Sequence, residues 1–181
     1  MKIGLIVGSI RKESWNKKVA LVVKDLFPKD IEVDFIDISY LNLYNPDLDN
    51  DKPLDSYVKI RNEVKKYDGY IFFTPEYNRS YSPHIKNVLD IVSRDPNGSA
   101  WMKKPAAIFS ASPGGYGGMG ANQALRQVFV NLDIMPMQAP EVYLSKIHQS
   151  FDANGMIDST KVLLTKAVNA FIDHAKKYIS N

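Results

Sequence analysis

The chain has 181 residues, 45% hydrophobic and 24% charged, with a formal net charge of +3 and no cysteine. That length suits one core of ordinary size, and no lysine/arginine cluster exceeds a pair, which argues against a protein that tracks a nucleic-acid backbone. The lack of cysteine removes disulfides, thiolate catalysis, iron–sulfur ligation and zinc–thiolate sites together. Lys2–Val7 reads as an apolar strand. It is not a basic stretch followed by a long apolar run and a small-residue cleavage site, and no run approaches the roughly 18 residues of a membrane span, so the expected location is the cytoplasm, with no membrane as partner. Trp15–Phe27 reads as a helix with Val19, Val22, Val23 and Leu26 on one face. Ile31–Ile36 alternates with polar Glu32 and Asp34, as a strand near an edge does. The run Asp47-Leu48-Asp49-Asn50-Asp51 lacks the glycine and terminal glutamate spacing of a calcium loop and reads as a solvated loop. Leu54–Tyr67 is a second helix and Tyr70–Phe73 a fully buried strand. Pro83–Ser93 is a third helix, with Ser82 as N-cap and Pro83 in the first helical position. Ala106–Ala111, Gly120–Leu132, Glu141–Leu144 and Thr160–Ile179 follow as strand, helix, short strand and helix. Strands alternating with helices predict an α/β, doubly wound, five-stranded parallel sheet with helices on both faces, with residues 1–181 as one domain.

In open parallel sheets ligands bind beyond the carboxyl ends of the strands, where the strand order reverses. Three loops of unusual composition fall at that end. Gly8-Ser9-Ile10-Arg11-Lys12-Glu13-Ser14-Trp15-Asn16 opens the first helix. A helix N-terminus presents free N–H groups and a positive dipole end, Ser9, Ser14 and Asn16 add short donors, and Arg11 adds a fixed charge, a set suited to phosphate. Neither G-x-G-x-x-G nor G-x-x-x-x-G-K-[ST] is present, so a monophosphate is the better fit. The plainer alternative is that Ser14 only caps the helix and Arg11 lies in solvent. In Thr74-Pro75-Glu76-Tyr77-Asn78, Pro75 fixes the turn, Tyr77 offers an aromatic surface, and Asn78 tolerates the turn while carrying donor and acceptor groups; an ordinary turn is the alternative. Ser110-Ala111-Ser112-Pro113-Gly114-Gly115-Tyr116-Gly117-Gly118 is rich in glycine, which lets the backbone approach a flat or anionic ligand closely, or else forms a flexible connection. The three loops outline one crevice.

These segments, with Lys86-Asn87-Val88-Leu89-Asp90 and Leu125-Arg126-Gln127 beside them, resemble the NADPH-dependent FMN reductase family, which includes chromate, quinone and azo-dye reductases. The likeness runs in order from the first strand to about Glu141. It implies a flavodoxin-like fold, non-covalent FMN, and NADPH or NADH as co-substrate. Carried over by position, it assigns Ser9, Arg11, Ser14 and Asn16 to the FMN phosphate and Trp15 to the ribityl chain. It assigns Pro75, Glu76, Tyr77 and Asn78 to the isoalloxazine ring, and Ser112, Gly114 and Gly115 to the other side of that ring. It implies a homodimer or homotetramer, with Arg126 and Glu141 as interface charges. One departure is visible: many members have proline one position before Pro83 and a smaller residue in place of Tyr81, which bears on the shape of the substrate mouth.

With neither cysteine nor a metal-ligand cluster, two-electron chemistry falls to a bound cofactor. The resemblance implies hydride transfer from the nicotinamide through flavin to flavin, quinone, azo or metal-ion acceptors. The protein then positions the ring and stabilises the charge of the reduced form, with the amides of Gly114 and Gly115 as candidates; no side chain is assigned as acid or base. Glu76 is expected to be a spectator or a structural partner. His84, His148 and His174 are far apart and read as solvated or capping residues, and Trp101 as an exposed lid or an oligomer contact. No G-x-S-x-G elbow supports a hydrolase. Two other functions stay open: a flavodoxin-type electron carrier, against which the positive charge argues because such carriers are usually acidic, and a non-catalytic phosphate-ligand sensor.

Overall fold

The computed structural model describes residues 1–179. In chain order the elements are β1 (Lys2–Val7), α1 (Trp15–Asp25), β2 (Glu32–Ile36), α2 (Asp55–Val64), β3 (Gly69–Thr74), α3 (Pro83–Ser93), β4 (Pro105–Ala111), α4 (Met119–Asn131), β5 (Met135–Pro136), β6 (Val142–Leu144), β7 (Phe151–Asp152), β8 (Gly155–Met156) and α5 (Asp158–Ile179). β3 and β4 are buried along their whole length, which is what unbroken apolar runs produce in the middle of a sheet covered on both sides. The order is β2-β1-β3-β4-β5, all parallel, the flavodoxin-like arrangement whose switch point lies between β1 and β3. Alternation along each strand sorts the core into two layers. Ile3, Leu5, Ile71, Phe73 and Phe109 pack with α1 and α5, whereas Ile6, Tyr70, Phe72 and Ile108 pack with α2, α3 and α4. β2 is the edge strand, as its alternation predicts, and Lys2 Nζ meets its Glu32 and Asp34 at 2.6 and 3.2 Å.

The fifth position of the sheet differs from the single strand expected at Glu141–Leu144. It is filled by two short pieces, β5 beside Pro105 and Ala106 and β6 beside Phe109–Ala111. Pro136 and Pro140 have no N–H to give a ladder, so pairing stops between them. The Arg126 guanidinium fills the break, donating from Nη1 to Met137 O at 3.1 Å. A further antiparallel hairpin, β7–β8, was not expected; two residues per strand are too few to leave a periodic signal.

Two expectations are corrected outright. Trp101 is neither a lid nor a surface contact: it is fully buried, its Nε1 donates to Leu89 O at 3.2 Å, and its ring meets Tyr70 edge-on at 5.0 Å. The acidic loop is not wholly solvated, because Asp49 takes a bidentate grip from Arg61 at 2.7 and 2.6 Å while Arg61 Nε donates to Ile91 O at 3.0 Å. Both partners are removed from water, so the pair is satisfied rather than available for a ligand.

Candidate functional site

The carboxyl ends of β1, β3 and β4 lie side by side, and Gly8 N donates to Phe73 O at 2.8 Å where the first loop leaves the sheet. A Cβ on Gly8 would sit 2.6 Å from Ile85 Cδ1 and 2.9 Å from Ile85 Cγ1, so a larger residue there must displace the Ile85 side chain. Ser14 caps α1 by accepting from Lys17 N at 3.2 Å, which leaves its hydroxyl proton to donate elsewhere. Ser9, in the same loop, is almost buried, while Arg11 is exposed and has no ion pair among the described residues. Asn16 behaves differently from a free donor. Its Nδ2 donates to Ala111 O at 3.0 Å and its Oδ1 accepts from Ala111 N at 3.2 Å, so the side chain ties α1 to the end of β4. Only the main-chain N–H of Asn16, in the first turn where helical partners are lacking, is left for an anion. The Trp15 ring packs on Phe151 at 5.6 Å, with Lys18 Nζ over it at 4.8 Å, and so is taken up by the hairpin. A depression of about 390 Å³ opens beside this loop, walled by Ser9, Arg11, Lys12, Lys17, Phe35 and Asp37. The N–H and hydroxyl of Ser39 hold the Asp37 carboxyl below its usual range, at 2.9 and 2.7 Å.

The second loop is a tight turn. Tyr77 and Ser80 exchange two backbone bonds of 2.9 Å, and the residues between them, Asn78 and Arg79, have φ of 51° and 67°. Asparagine accepts that left-handed backbone; arginine resists it and needs support from its surroundings. The support comes from Glu76, 3.6 Å from Arg79 Nη1, and from the Tyr116 ring, 5.2 Å from the guanidinium. Glu76 reaches further still. Its Oε2 accepts from Gly120 N at 2.9 Å and Ala121 N at 3.4 Å, in the first turn of α4. The N-cap of that helix is Gly118, which has no side chain to offer, so Glu76 serves as a remote cap and places its charge at the positive end of the dipole. Of the two roles expected for Glu76, spectator or structural partner, the bonds to Gly120 and Ala121 support the second. Ser82 closes the frame: its hydroxyl donates to Gly8 O at 2.5 Å and accepts from His84 N at 3.1 Å at the start of α3.

The glycines of the third loop divide into two kinds. Gly117 and Gly118 have φ of 61° and 80°, and a Cβ on them would lie 2.7 Å from Tyr143 C and 2.8 Å from Ser110 Cβ. The fold itself demands those two. Gly114 donates its N–H to Ser112 Oγ at 3.1 Å and accepts from Lys146 N at 3.0 Å, so its main chain is already engaged. Gly115 stands clear, with nothing within 4 Å of an added Cβ. A phosphate-suited helix start, a hydroxyl and a guanidinium with donors to give, and an open glycine backbone together suit a flat phosphorylated ligand. Arg126 and Glu141, expected at an interface, lie 3.9 Å apart within the chain at the break between β5 and β6, and Gln123 Nε2 donates to Glu141 Oε1 at 2.9 Å.

Sequence reasoning missed the cross-links. Asn16 to Ala111 spans 95 positions, Ser82 to Gly8 spans 74, and Glu76 to Gly120 spans 44. The one local signal was the polar side chain of Ser82 at a helix start.

The chain is similar to known proteins over most of its length. The sequence pattern of the family described as NADPH-dependent FMN reductase matches residues 1–149. A quinone reductase of Pseudomonas putida is 41% identical over 175 residues, covering 96% of this chain and 94% of that protein. A 2-hydroxy-1,4-benzoquinone reductase of a Burkholderia species is 40% identical over 168 residues, covering 91% of each. Among solved structures, the NAD(P)H:(acceptor) oxidoreductase FerB of Paracoccus denitrificans superposes with a TM-score of 0.90 at 32% identity, covering 98% of both chains. The chain therefore belongs to the NADPH-dependent FMN reductase family.

Proposed function

We propose that this protein is an FMN-dependent NAD(P)H oxidoreductase whose acceptors are quinones. The observation that carries the reading is the open cradle: an N-terminal turn of α1 with Ser14 and an exposed Arg11 at one end, and the clear backbone of Gly115 at the other. Ser9, Arg11, Ser14 and the first-turn amides of Trp15 and Asn16 hold the phosphate. Pro75, Glu76, Tyr77 and Asn78 border the ring on one side, Glu76 by bracing the loop rather than by contact. Ser112, Gly114 and Gly115 border it on the other, and the Gly115 amide is the one left to meet the negative charge of the reduced ring. Bound FMN supplies two-electron chemistry between a nicotinamide and an acceptor. Quinones are favoured because the relatives near 40% identity are named for them. A pure electron carrier is disfavoured by those relatives and by the net charge of +3.

The partners are then small molecules, and the location the cytoplasm; among the described residues no helix is long and apolar enough to cross a membrane. A homodimer or homotetramer is proposed, with the Arg126–Glu141 pair near its interface. The test is anaerobic mixing of FMN-loaded protein with NADPH. Rapid bleaching of the flavin absorbance is expected, and a spectrum unchanged over minutes would overturn the reading.

A further inference from the structure

The tight turn of the second loop breaks a local rule. Tyr77 and Ser80 form an isolated antiparallel bridge, and both residues between them have positive φ, 51° at Asn78 and 67° at Arg79. That is the pattern of the mirror-image hairpin turns, in which asparagine followed by glycine is a favoured pair. Asn78 obeys it. Arg79 stands where glycine is expected, and its Cβ crowds the following carbonyl oxygen. We propose that Arg79, stacked on Tyr116, grips the phosphate groups of the incoming nicotinamide dinucleotide at the mouth of the ring site; the proposal rests on the reductase reading.

Three observations support it. The first is that contacts within the chain offset the strain only weakly. Glu76 Oε1 lies 3.6 Å from Arg79 Nη1, the arginine side chain is 73% exposed, and the Tyr116 ring, 5.2 Å from the guanidinium, is itself 66% exposed. Exposed ion pairs and cation–π contacts of this kind add little to folding. A strained side chain kept with so little structural gain marks a functional position. The second is place. In the reductase reading the turn borders the ring on one side, and Tyr116 follows Gly115, whose open backbone borders it on the other. The stacked pair therefore spans the mouth from one loop to the other. The third is charge. Glu76 Oε2 is committed to Gly120 N and Ala121 N, at 2.9 and 3.4 Å, so its carboxylate is shared between the start of α4 and the guanidinium. Lys86, nearby on α3, is bound by both oxygens of Asp90 at 2.7 and 2.5 Å. Arg79 thus keeps positive charge to give. A guanidinium stacked on an aromatic ring leaves its N–H fork open at the edge, a geometry that meets two phosphate oxygens at once. Arg11 serves the FMN phosphate, so each phosphorylated molecule meets its own arginine.

The test compares two hydride donors on the FMN-loaded protein without oxygen: NADPH, which carries phosphates, and 1-benzyl-1,4-dihydronicotinamide, which carries none. Stopped-flow bleaching at limiting donor gives a second-order rate constant for each. The ratio of the NADPH constant to the other is expected to fall more than fivefold in both Arg79→Gly and Arg79→Asn, the two residues that the turn accepts. Added sodium chloride is expected to lower the ratio in the native protein more steeply than in either variant. With NADH in place of NADPH, an equal loss assigns the contact to the pyrophosphate and a smaller loss to the 2′-phosphate. Because glycine relieves the backbone, Arg79→Gly is expected to lower Tm by no more than about 1 °C. A smaller fall of the NADPH ratio in either variant would overturn the proposal. So would a larger drop of Tm in Arg79→Gly, since the arginine would then be structural. Failure of the unaltered protein to bleach with either donor would overturn the reductase reading instead.

Discussion

Replacing Glu76 tests how the two ring-bordering loops are held together. The side chain is only 17% exposed, so water replaces little of what it gives. Its bond to Gly120 N at 2.9 Å is short and charge-assisted, and the one to Ala121 N at 3.4 Å adds little. Loss of a helix cap and of such a bond costs about 2 kcal/mol, so Glu76→Ala is expected to lose that much. Glu76→Gln keeps an oxygen acceptor and loses only the charge at the helix start, about 0.5–1 kcal/mol. For a chain of this size each kcal/mol moves Tm by about 2–4 °C, which gives falls of about 4–8 °C for alanine and 1–4 °C for glutamine. Differential scanning fluorimetry at low ionic strength reads both, and added salt is expected to shrink the gap between the native protein and the glutamine variant. FMN binding weakens in the alanine variant as well, because Arg79 loses the carboxylate that supports its left-handed backbone. An alanine variant that melts within about 1 °C of the native protein, or a glutamine variant as unstable as the alanine one, would refute this account.

Four other outcomes follow from the same geometry. Arg11→Ala is expected to weaken FMN binding by about 1.5–3 kcal/mol, roughly a ten- to hundredfold rise in Kd by flavin-fluorescence titration, with little change in Tm; unaltered affinity would remove Arg11 from the phosphate site. Asn16→Ala strands the N–H and carbonyl of Ala111 and is expected to lower stability by about 2–4 kcal/mol in urea denaturation, with under about 1 kcal/mol marking the cross-link as unimportant. At Gly115 an added Cβ meets no atom, so Gly115→Ala should leave Tm unchanged while impairing FMN binding, whereas Gly118→Ala, with φ of 80° and a Cβ 2.8 Å from Ser110 Cβ, should lose about 1 kcal/mol or more; reversed effects would show that the two glycine roles are misassigned. Burial alone would raise the Asp95 carboxyl, but the Lys65 ammonium at 2.7 Å and the Asn97 N–H hold it below its usual value. That contribution is present above about pH 4 and is lost as pH falls further, so Asp95→Asn should flatten the acid limb of a plot of Tm against pH; an identical limb would contradict it.

The architecture was legible because burial leaves a pattern. The edge strand lacks an unbroken apolar run, since Glu32 and Asp34 interrupt it, while Tyr70–Phe73 is apolar throughout and lies at the centre. Ser82 and Pro83 marked the start of α3 because a cap acts over two or three residues. What depends on distant neighbours left no such trace. Nothing near Trp101 in sequence shows that Leu89 and Tyr70 enclose it, and nothing near Asp49 shows that Arg61 will bind it. The loops of the candidate site were found through composition, but their division of labour was not. Gly114, Gly115, Gly117 and Gly118 look alike as letters, and only their surroundings separate the two that the turn requires from the one that stands open. The fifth strand was expected whole because Glu141–Leu144 looks like a strand, while the pairing of Met135–Pro136 depends on where Pro105 arrives.

Asn16 and Ser82 have a consequence for how any guest is received. One carboxamide fastens the first helix to the far end of β4, and one hydroxyl fastens the first loop to the start of α3. The span between the two ends of a bound molecule is therefore set while the chain folds, and little ordering remains to be done on arrival. A rigid seat of this kind favours a long-term tenant over a passing visitor.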